Sequence, residues 1–220
     1  MVSTFVFMAA VDFYSFFSAY FGDRLDELLP ALRGESVYET IQYPGKEPYY
    51  LDEASAFAAR SLGVEPGMDV LDMCAAPGGK TLLLASSLAG RGSLQSNDRS
   101  PDRRQRLMHN IENTLPENVA SIIKVSGYDG VRFGLFRKNE FDRILLDAPC
   151  SSERHVMESE KYLAEWTPKR IAHIAVTQGS LLASAVDALK IGGQMIYSTC
   201  ALSKMENDDV VRKILKKRQG

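Results

Sequence analysis

Cys150 and Cys200 carry the most chemical reach in this chain. Each stands just past an apolar, strand-like run: Phe141 to Asp147 leads into Asp147-Ala-Pro-Cys150, and Gln194 to Ser198 leads into Ser198-Thr-Cys200. A thiol held at a strand end beside a carboxylate such as Asp147 is a candidate nucleophile, because the ionised sulfur is the reactive form. Taken singly, a cysteine is more often a small buried hydrophobe. Here Cys74, Asp98 and Asp129 share the same kind of position at strand ends, and a common rim turns separate weak signals into one site.

Cys74 belongs to Asp72-Met-Cys-Ala-Ala-Pro-Gly-Gly-Lys80, the stretch that organises the chain. Asp69 to Met73 in front of it reads as a short buried strand, and Thr81 to Leu88 behind it reads as a helix. Cys74, Ala75, Ala76, Pro77, Gly78, Gly79 and Lys80 therefore form a strand-to-helix turn of small residues. Glycines at 78 and 79 let a ligand approach the backbone closely, and the free N–H groups of the helix start face that ligand. The turn is not a Walker loop, since position 74 is Cys rather than Gly, and it lacks the G-x-G-x-x-G dinucleotide fingerprint. Asp98, after the strand Ser93 to Asn97, is placed for the two ribose hydroxyls of an adenosine. Without the preceding turn it would read as a cap for the helix that starts at Pro101. Arg103, one turn into that helix, is placed to steady Asp98. Asp129 with Gly130 suits an adenine amino group, and equally an ordinary Asp-Gly turn.

The elements that must position these residues are legible in outline. Phe13, Phe16, Phe17, Tyr20 and Phe21, then Leu25, Leu28, Leu29 and Leu32, recur at helical spacing. They predict one helix over 12–33, its stripe packed as core, with the apolar residues before it docking as part of an amphipathic helix. Residues 42–50 read as a loop, marked by Pro44-Gly45 and Pro48, and Asp52 caps a short helix to Ser61. Strands are predicted at 69–73, 93–97, 120–125, 141–147 and 194–198. The helices between them include 102–113 and 171–190, and a basic helix over 207–217 closes the chain. Residues 151–168 read as a polar loop holding His155 and Trp166. Alternating strands and helices give an α/β fold, a mostly parallel sheet with helices on both faces. Its ligands bind beyond the carboxyl ends of the strands. Residues 1–50 are expected to form a short helical extension and a candidate RNA-contact segment, and 51–220 the Rossmann-like domain.

The 220 residues carry 45% hydrophobic and 25% charged side chains and a net charge of -2, which excludes global polyelectrolyte attraction to nucleic acid. Three cysteines make no disulfide framework, and three scattered histidines predict no metal site. The N-terminal residues lack the basic start of a secretory signal and no apolar run is long enough to span a bilayer, so the expectation is an intracellular protein with no membrane partner.

Asp72-Met-Cys-Ala-Ala-Pro-Gly-Gly-Lys80, Asp147-Ala-Pro-Cys150 and Tyr197-Ser-Thr-Cys200 resemble the signature motifs of the Nop/Sun (NSUN) family of RNA cytosine-5 methyltransferases. The likeness runs in order over roughly residues 36 to 215 and includes Asn97-Asp98, Arg103 and Asp129-Gly130. It is similar to the mitochondrial-type branch in Asp147-Ala-Pro-Cys150-Ser-Ser-Glu-Arg. The resemblance implies a Rossmann-like methyltransferase with S-adenosylmethionine as cofactor and rRNA or tRNA as substrate, in the cytoplasm or, in a eukaryote, the mitochondrion. It implies that Cys200 is the nucleophile, that Cys150 helps release it, and that Asp147 hydrogen-bonds the cytosine edge. It further implies that residues 74–80, Asp98, Arg103, Asp129, Gly130 and Asp147 bind the cofactor.

Carbon 5 of cytosine is a poor nucleophile until a thiolate adds at carbon 6, which explains why two thiols are useful. The target base must be unpaired or flipped out. DNA-type enzymes place the nucleophile at the Pro-Cys position, here Pro149-Cys150, so Thr199-Cys200 favours the RNA type. The alternative is a cofactor-binding RNA assembly factor whose catalysis is dispensable. The family usually continues with further strands, so the sheet edge is expected to be incomplete or supplied otherwise. RNA contact is expected from Arg99, Arg103, Arg104, Arg106, the 151–168 segment and Arg212 to Arg218, with a helper protein as a candidate source of affinity.

Overall fold

The computed structural model describes residues 11–218. Two helices, α1 (Phe13–Phe21) and α2 (Leu25–Arg33), replace the single helix expected over 12–33. The break falls at Gly22, whose φ of +57° stops a right-handed helix and leads into a single 3₁₀ turn. The part of the amphipathic helix expected before residue 11 lies outside the described residues. Phe13 and Phe17 are buried, so the aromatic stripe is core packing as expected.

Strands β1 (Tyr38–Ile41) and β2 (Tyr49–Asp52) form an antiparallel hairpin, so the loop expected over 42–50 is its connection and gives up Tyr49 and Tyr50 to β2. Ile41 and Leu51 point inward and are buried, whereas Tyr38 and Tyr50 on the other face are exposed. The hairpin leads into α3 (Glu53–Ser61). Asp52 caps it as predicted, its carboxylate accepting the Ala54 and Ser55 N–H groups.

The main sheet holds β3 (Asp69–Asp72), β4 (Ser93–Asn97), β5 (Ile123–Ser126), β6 (Phe141–Asp147) and β7 (Leu189–Ser198). All four pairings are parallel, in the order β5-β4-β3-β6-β7. Helices α4 (Gly79–Leu88), α5 (Pro101–Thr114) and the single turn α6 (Glu117–Ala120) connect the strands on one side. The single turn α7 (Phe133–Phe136) precedes β6, which is followed by α8 (Glu153–Met157), α9 (Glu160–Glu165), α10 (Pro168–Ala188) and, past β7, α11 (Asp208–Arg218). Period-two alternation sends Val70 and Leu145 into one core with Leu82, Leu84, Leu94 and Leu107. Leu71, Ile144 and Leu146 go to the opposite face with Phe133, Leu181 and Ala185. A sheet buried on both faces is what the expected doubly covered α/β layer requires.

Three local expectations are corrected. The strand placed at 120–125 begins at Ile123, because Pro116 starts a helical turn that uses Ala120. The polar 151–168 loop contains α8 and α9, with Trp166 buried against Phe13, Phe16 and Phe17 at ring-centroid separations of 5.4, 5.2 and 5.8 Å. Strand β7 starts at Leu189, five residues before the predicted Gln194. The chain turns back at β3, with β4 and β5 on one side and β6 and β7 on the other, so β3 and β6 flank the switch point where such sheets bind ligands.

Candidate active site

Two cavities open at the carboxyl ends of the strands, and the same two segments wall both. The first, of about 180 Å³, is lined by Cys74, Asp98, Arg103, Asp129, Gly130 and Leu181. The second, of about 280 Å³, is lined by Ser55, Lys80, Asp147, Cys150, Ser198 and Cys200. The turn after β3 contributes Cys74 to one and Lys80 to the other. The turn after β6 contributes Pro149 to one and Ala148 and Cys150 to the other.

The first cavity has the features of a nucleoside cleft. Asp98 is buried and held from three sides. Its Oδ2 accepts the Ala76 N–H at 3.3 Å and faces the Arg103 guanidinium at 3.4 Å, while its Oδ1 accepts the Ser100 N–H at 3.0 Å. Arg103 also donates to the Ala76 carbonyl, tying α5 to the glycine turn. Arg104 donates to the carbonyls of Asp98 and Arg99 at 2.8 and 2.9 Å. Two of the basic residues expected to meet RNA are thus engaged within this rim. Asp129 caps its own turn through the Val131 N–H at 3.1 Å, with its side chain at the cleft. Gly78 adopts φ +120°, a conformation that L side chains rarely take, and a Cβ at Gly130 would lie 2.7 Å from Leu181 Cδ2. Gly78 thereby lets the turn pack against Leu107 of α5, and Gly130 lets its turn pack against Leu181 at the cleft wall. These donors, the buried carboxylate and the apolar walls of Val131 and Leu181 fit an S-adenosyl group.

The second cavity joins the sulfur atoms. Cys150 and Cys200 are both free thiols with Sγ atoms 2.8 Å apart, and Ser152 Oγ lies 3.5 and 3.2 Å from them. The pair releases its first proton early. The remaining S–H donates to the thiolate, Ser152 adds a second contact, and together they outweigh burial, bringing the Cys150 thiol down to about 6. The second proton is held well above the thiol range, since it bridges the sulfurs and a second thiolate would lie against the first. Cys74 sits apart from this pair, and burial pushes its thiol up to about 12, so it is a wall rather than a nucleophile.

Asp147 accepts from Lys80 Nζ at 2.7 Å and from Ser198 Oγ at 2.8 Å. Lys80 also donates to Ser55 Oγ at 3.0 Å. The structure thus places Lys80, expected with the cofactor residues, in the thiol cavity. Sequence reasoning missed Ser55, which carried no pattern of its own, and noted Ser198, Asn97 and Asp72 only as members of motifs, without the contacts they make. Asn97 is buried and pins three strand ends, donating to the Met73 and Tyr128 carbonyls at 3.2 and 3.1 Å and accepting the Tyr128 N–H at 2.8 Å. Asp72 is buried with Thr81 Oγ1 donating to it at 2.7 Å, and burial lifts its carboxyl to about 7. Among the described residues no group of three or more His, Cys, Asp or Glu side chains is arranged to hold a metal ion. No described helix is long and apolar enough to cross a membrane.

Five parallel strands with this order and a ligand rim at their carboxyl ends define a Rossmann-like fold. The chain belongs to the 16S rRNA methyltransferase RsmB/F family, whose model matches residues 59–220. It is 38% identical over 168 residues to the 5-cytosine rRNA methyltransferase NSUN4 of Bos taurus, covering 74% of this chain and 44% of that protein. It is 38% identical over 171 residues to the mitochondrial tRNA (cytosine(34)-C(5))-methyltransferase of Mus musculus, covering 77% and 49%. With ribosomal RNA small subunit methyltransferase F of Vibrio vulnificus it shares 41% identity over 165 residues, covering 74% and 34%. The solved structure of NSun6 from Pyrococcus horikoshii with SFG superposes with a TM-score of 0.65 at 31% identity, covering 77% of this chain and 42% of that one. The chain thus spans from about a third to a half of the length of the curated relatives it matches.

Proposed function

We propose that the protein transfers a methyl group from S-adenosylmethionine to carbon 5 of a cytosine in RNA, through a covalent cysteine adduct. The observation that carries this reading is the pair of free sulfurs 2.8 Å apart, backed against a nucleoside cleft across the 147–150 segment. When bound, S-adenosylmethionine supplies an electrophilic methyl group. Asp98 would hold its ribose, with Arg103 fixing the carboxylate, and Asp129 and Gly130 would face the adenine.

The remaining work falls to the thiol cavity. Cys200 Sγ passes its proton to the Cys150 thiolate as it forms a bond to carbon 6 of the cytosine, and the carbon 5–carbon 6 electron pair becomes enamine-like. Asp147, kept in place by Lys80 and Ser198, hydrogen-bonds the base edge and favours protonation at the ring nitrogen. After transfer, a base takes the proton at carbon 5, its electron pair re-forms the double bond, and the bond to Cys200 breaks to leave a thiolate, with Cys150 assisting release by returning a proton to that sulfur. The shared proton between the sulfurs suits them to exchange acid and base tasks.

The substrate class follows the names of relatives that act on rRNA and on tRNA. The net charge of -2 makes a helper protein a reasonable source of RNA affinity. Incubation with S-adenosylmethionine and RNA, followed by bisulfite sequencing, tests the activity. Cys200→Ala should abolish transfer, and Cys150→Ala should accumulate a protein–RNA adduct that survives denaturant. Full transfer by Cys200→Ala would refute the nucleophile assignment, and RNA binding without any transfer by the wild-type chain would favour an assembly role instead.

A further inference from the structure

Cys150 and Cys200 sit on separate loops, and the proposed chemistry does not by itself explain what keeps their sulfurs together. Glu153 supplies the tie. Its side chain is fully buried, which glutamate almost never is without partners. Oε1 accepts from the hydroxyl of Ser151, the residue directly after Cys150. Oε2 accepts the N–H of Leu202, two residues after Cys200, at 3.0 Å. One carboxylate therefore spans both thiol-bearing loops.

A second buried carboxylate stiffens the same frame from behind. Glu206 Oε2 accepts the Ser151 N–H at 3.0 Å and the Gln178 amide at 3.0 Å, and that amide also donates to the Pro149 carbonyl at 2.9 Å. Ser151 is thus gripped through its backbone by Glu206 and through its hydroxyl by Glu153. Glu153 reaches from the Cys150 loop to the backbone of the Cys200 loop, Ser152 Oγ reaches Cys200 Sγ itself, and Glu206, on the segment after Cys200, reaches back to Ser151. We propose that Glu153 is a positioning residue that bridges Ser151 and Leu202 and thereby sets the separation of Cys150 and Cys200. The inference rests on the reading of the two thiols as a nucleophile and its helper.

The chemistry of the acceptor is specific. Two donors converge on one side chain from different loops, and a carboxylate satisfies both with charge-assisted bonds. Alanine would leave two buried donors without partners, and the loops would part to hydrate them. Glutamine keeps a carbonyl for the Leu202 N–H and offers its amide to the Ser151 oxygen, so it preserves the span.

Disulfide formation measures the separation without RNA. Diamide takes two electrons and two protons from the thiol pair, becoming a hydrazine, and the S–S bond closes only when the sulfurs meet. In the full chain, Glu153→Ala should slow Cys150–Cys200 cross-linking by at least about tenfold, and Glu153→Gln should stay within about threefold of wild type. S-adenosylhomocysteine affinity should remain within about twofold in both, since the first cavity does not use this carboxylate. Cross-linking of Glu153→Ala at the wild-type rate would overturn the proposal. So would a parallel loss of cofactor affinity, or a glutamine variant no faster than alanine. If Glu153→Ala does not accumulate as folded protein, Ser151→Ala, which severs one arm of the bridge, carries the same readings. Absence of methyl transfer by the wild-type chain would refute the functional reading and leave the cross-linking result standing.

Discussion

The Sγ atoms of Cys150 and Cys200 lie 2.8 Å apart at the ends of adjacent parallel strands, although fifty residues separate them in the chain. Strand pairing brings the two loops together. Asp147 is registered opposite Ser198, so the two loops leave the sheet side by side and turn the same way. Neither sulfur alone would be unusual. Together they form one coupled pair, in which the contact with Cys200 draws the Cys150 thiol down.

The first prediction concerns that coupling. The thiol contact brings the first ionisation, at Cys150, to about 6, so a thiolate is present at neutral pH. Alkylation by iodoacetamide should reach half its plateau rate near pH 6 in the wild-type chain. Cys200→Ala removes the S–H donor, so the Cys150 midpoint should climb toward the usual 8.5. Cys150→Ala removes the acceptor, so the Cys200 thiol should fall toward the same value, each single thiol titrating at least about one unit above the wild-type first step. Identical midpoints in all three proteins would reject a shared proton.

Asp72 carries a second pH signature. Burial holds its carboxyl protonated up to about 7, with the charges of Asp147 and Lys80 acting in opposite directions on it. The unfolded chain loses this proton near pH 3.9, so between about 4 and 7 the folded state binds the extra proton and stability falls as pH rises. The cost ends near pH 7 and is at most about 4 kcal/mol. Asp72→Asn still accepts from Thr81 and cannot ionise. It should match wild type at pH 4 and melt at a higher temperature at pH 8. Parallel melting curves for the two proteins across that range would show that Asp72 is charged in the fold.

The parts of this site that the sequence revealed are those fixed by backbone and strand order. The glycine turn, Asp98 after β4, Asp147 after β6 and Cys200 after β7 all follow from strands whose apolar runs are unmistakable, such as Val70-Leu71 and Ile144-Leu145-Leu146. The division into two cavities was not legible, because it depends on which way Lys80 points from the first turn of α4. The β1–β2 hairpin was hidden by its shortness and by prolines read as pure loop, although Tyr38 to Ile41 alternates. Buried Glu153 looked like part of a polar loop. Its partners, Ser151 and Leu202, flank cysteines that only the folded sheet brings together.

Asp98 provides a direct test of the nucleoside cleft. It is buried and holds the Ala76 N–H and the Arg103 guanidinium at the rim of the proposed ribose site. Asp98→Ala should weaken S-adenosylhomocysteine binding roughly 10- to 100-fold by calorimetry, through loss of charge-assisted bonds. Arg103→Lys keeps the charge but not the fork that reaches both Asp98 and Ala76, and should fall between wild type and Asp98→Ala. Unchanged affinity in Asp98→Ala would place the ribose elsewhere.

Lys80 separates cofactor binding from base handling. Its ammonium lies 2.7 Å from Asp147 and 3.0 Å from Ser55, inside the thiol cavity. Lys80→Met keeps the stem and removes the charge. Cofactor affinity should stay within about twofold, while the methyl-transfer rate falls on the order of 100-fold, because Asp147 loses the partner that orients it. A large drop in cofactor affinity would instead return Lys80 to the donor side.

Gly79 links the missed hairpin to the same cavity. A Cβ there would lie 2.6 Å from Leu51 Cδ1 and 2.9 Å from Tyr49 Cε1, so the inner face of β2 rests on the bare start of α4. Gly79→Ala must displace the Leu51 and Tyr49 side chains or shift the helix start, and a shift of the helix start carries the adjacent Lys80 away from Asp147. Overpacking of this kind should cost about 1–3 kcal/mol in urea denaturation. Gly179, in the middle of α10, is the internal contrast, since a Cβ added there would meet nothing within 4 Å. Gly179→Ala should stabilise by roughly 0.5–1 kcal/mol through helix propensity alone. If Gly79→Ala proved as benign as Gly179→Ala, the hairpin would not bear on the helix, and the link from Leu51 through Gly79 to Lys80 would fail.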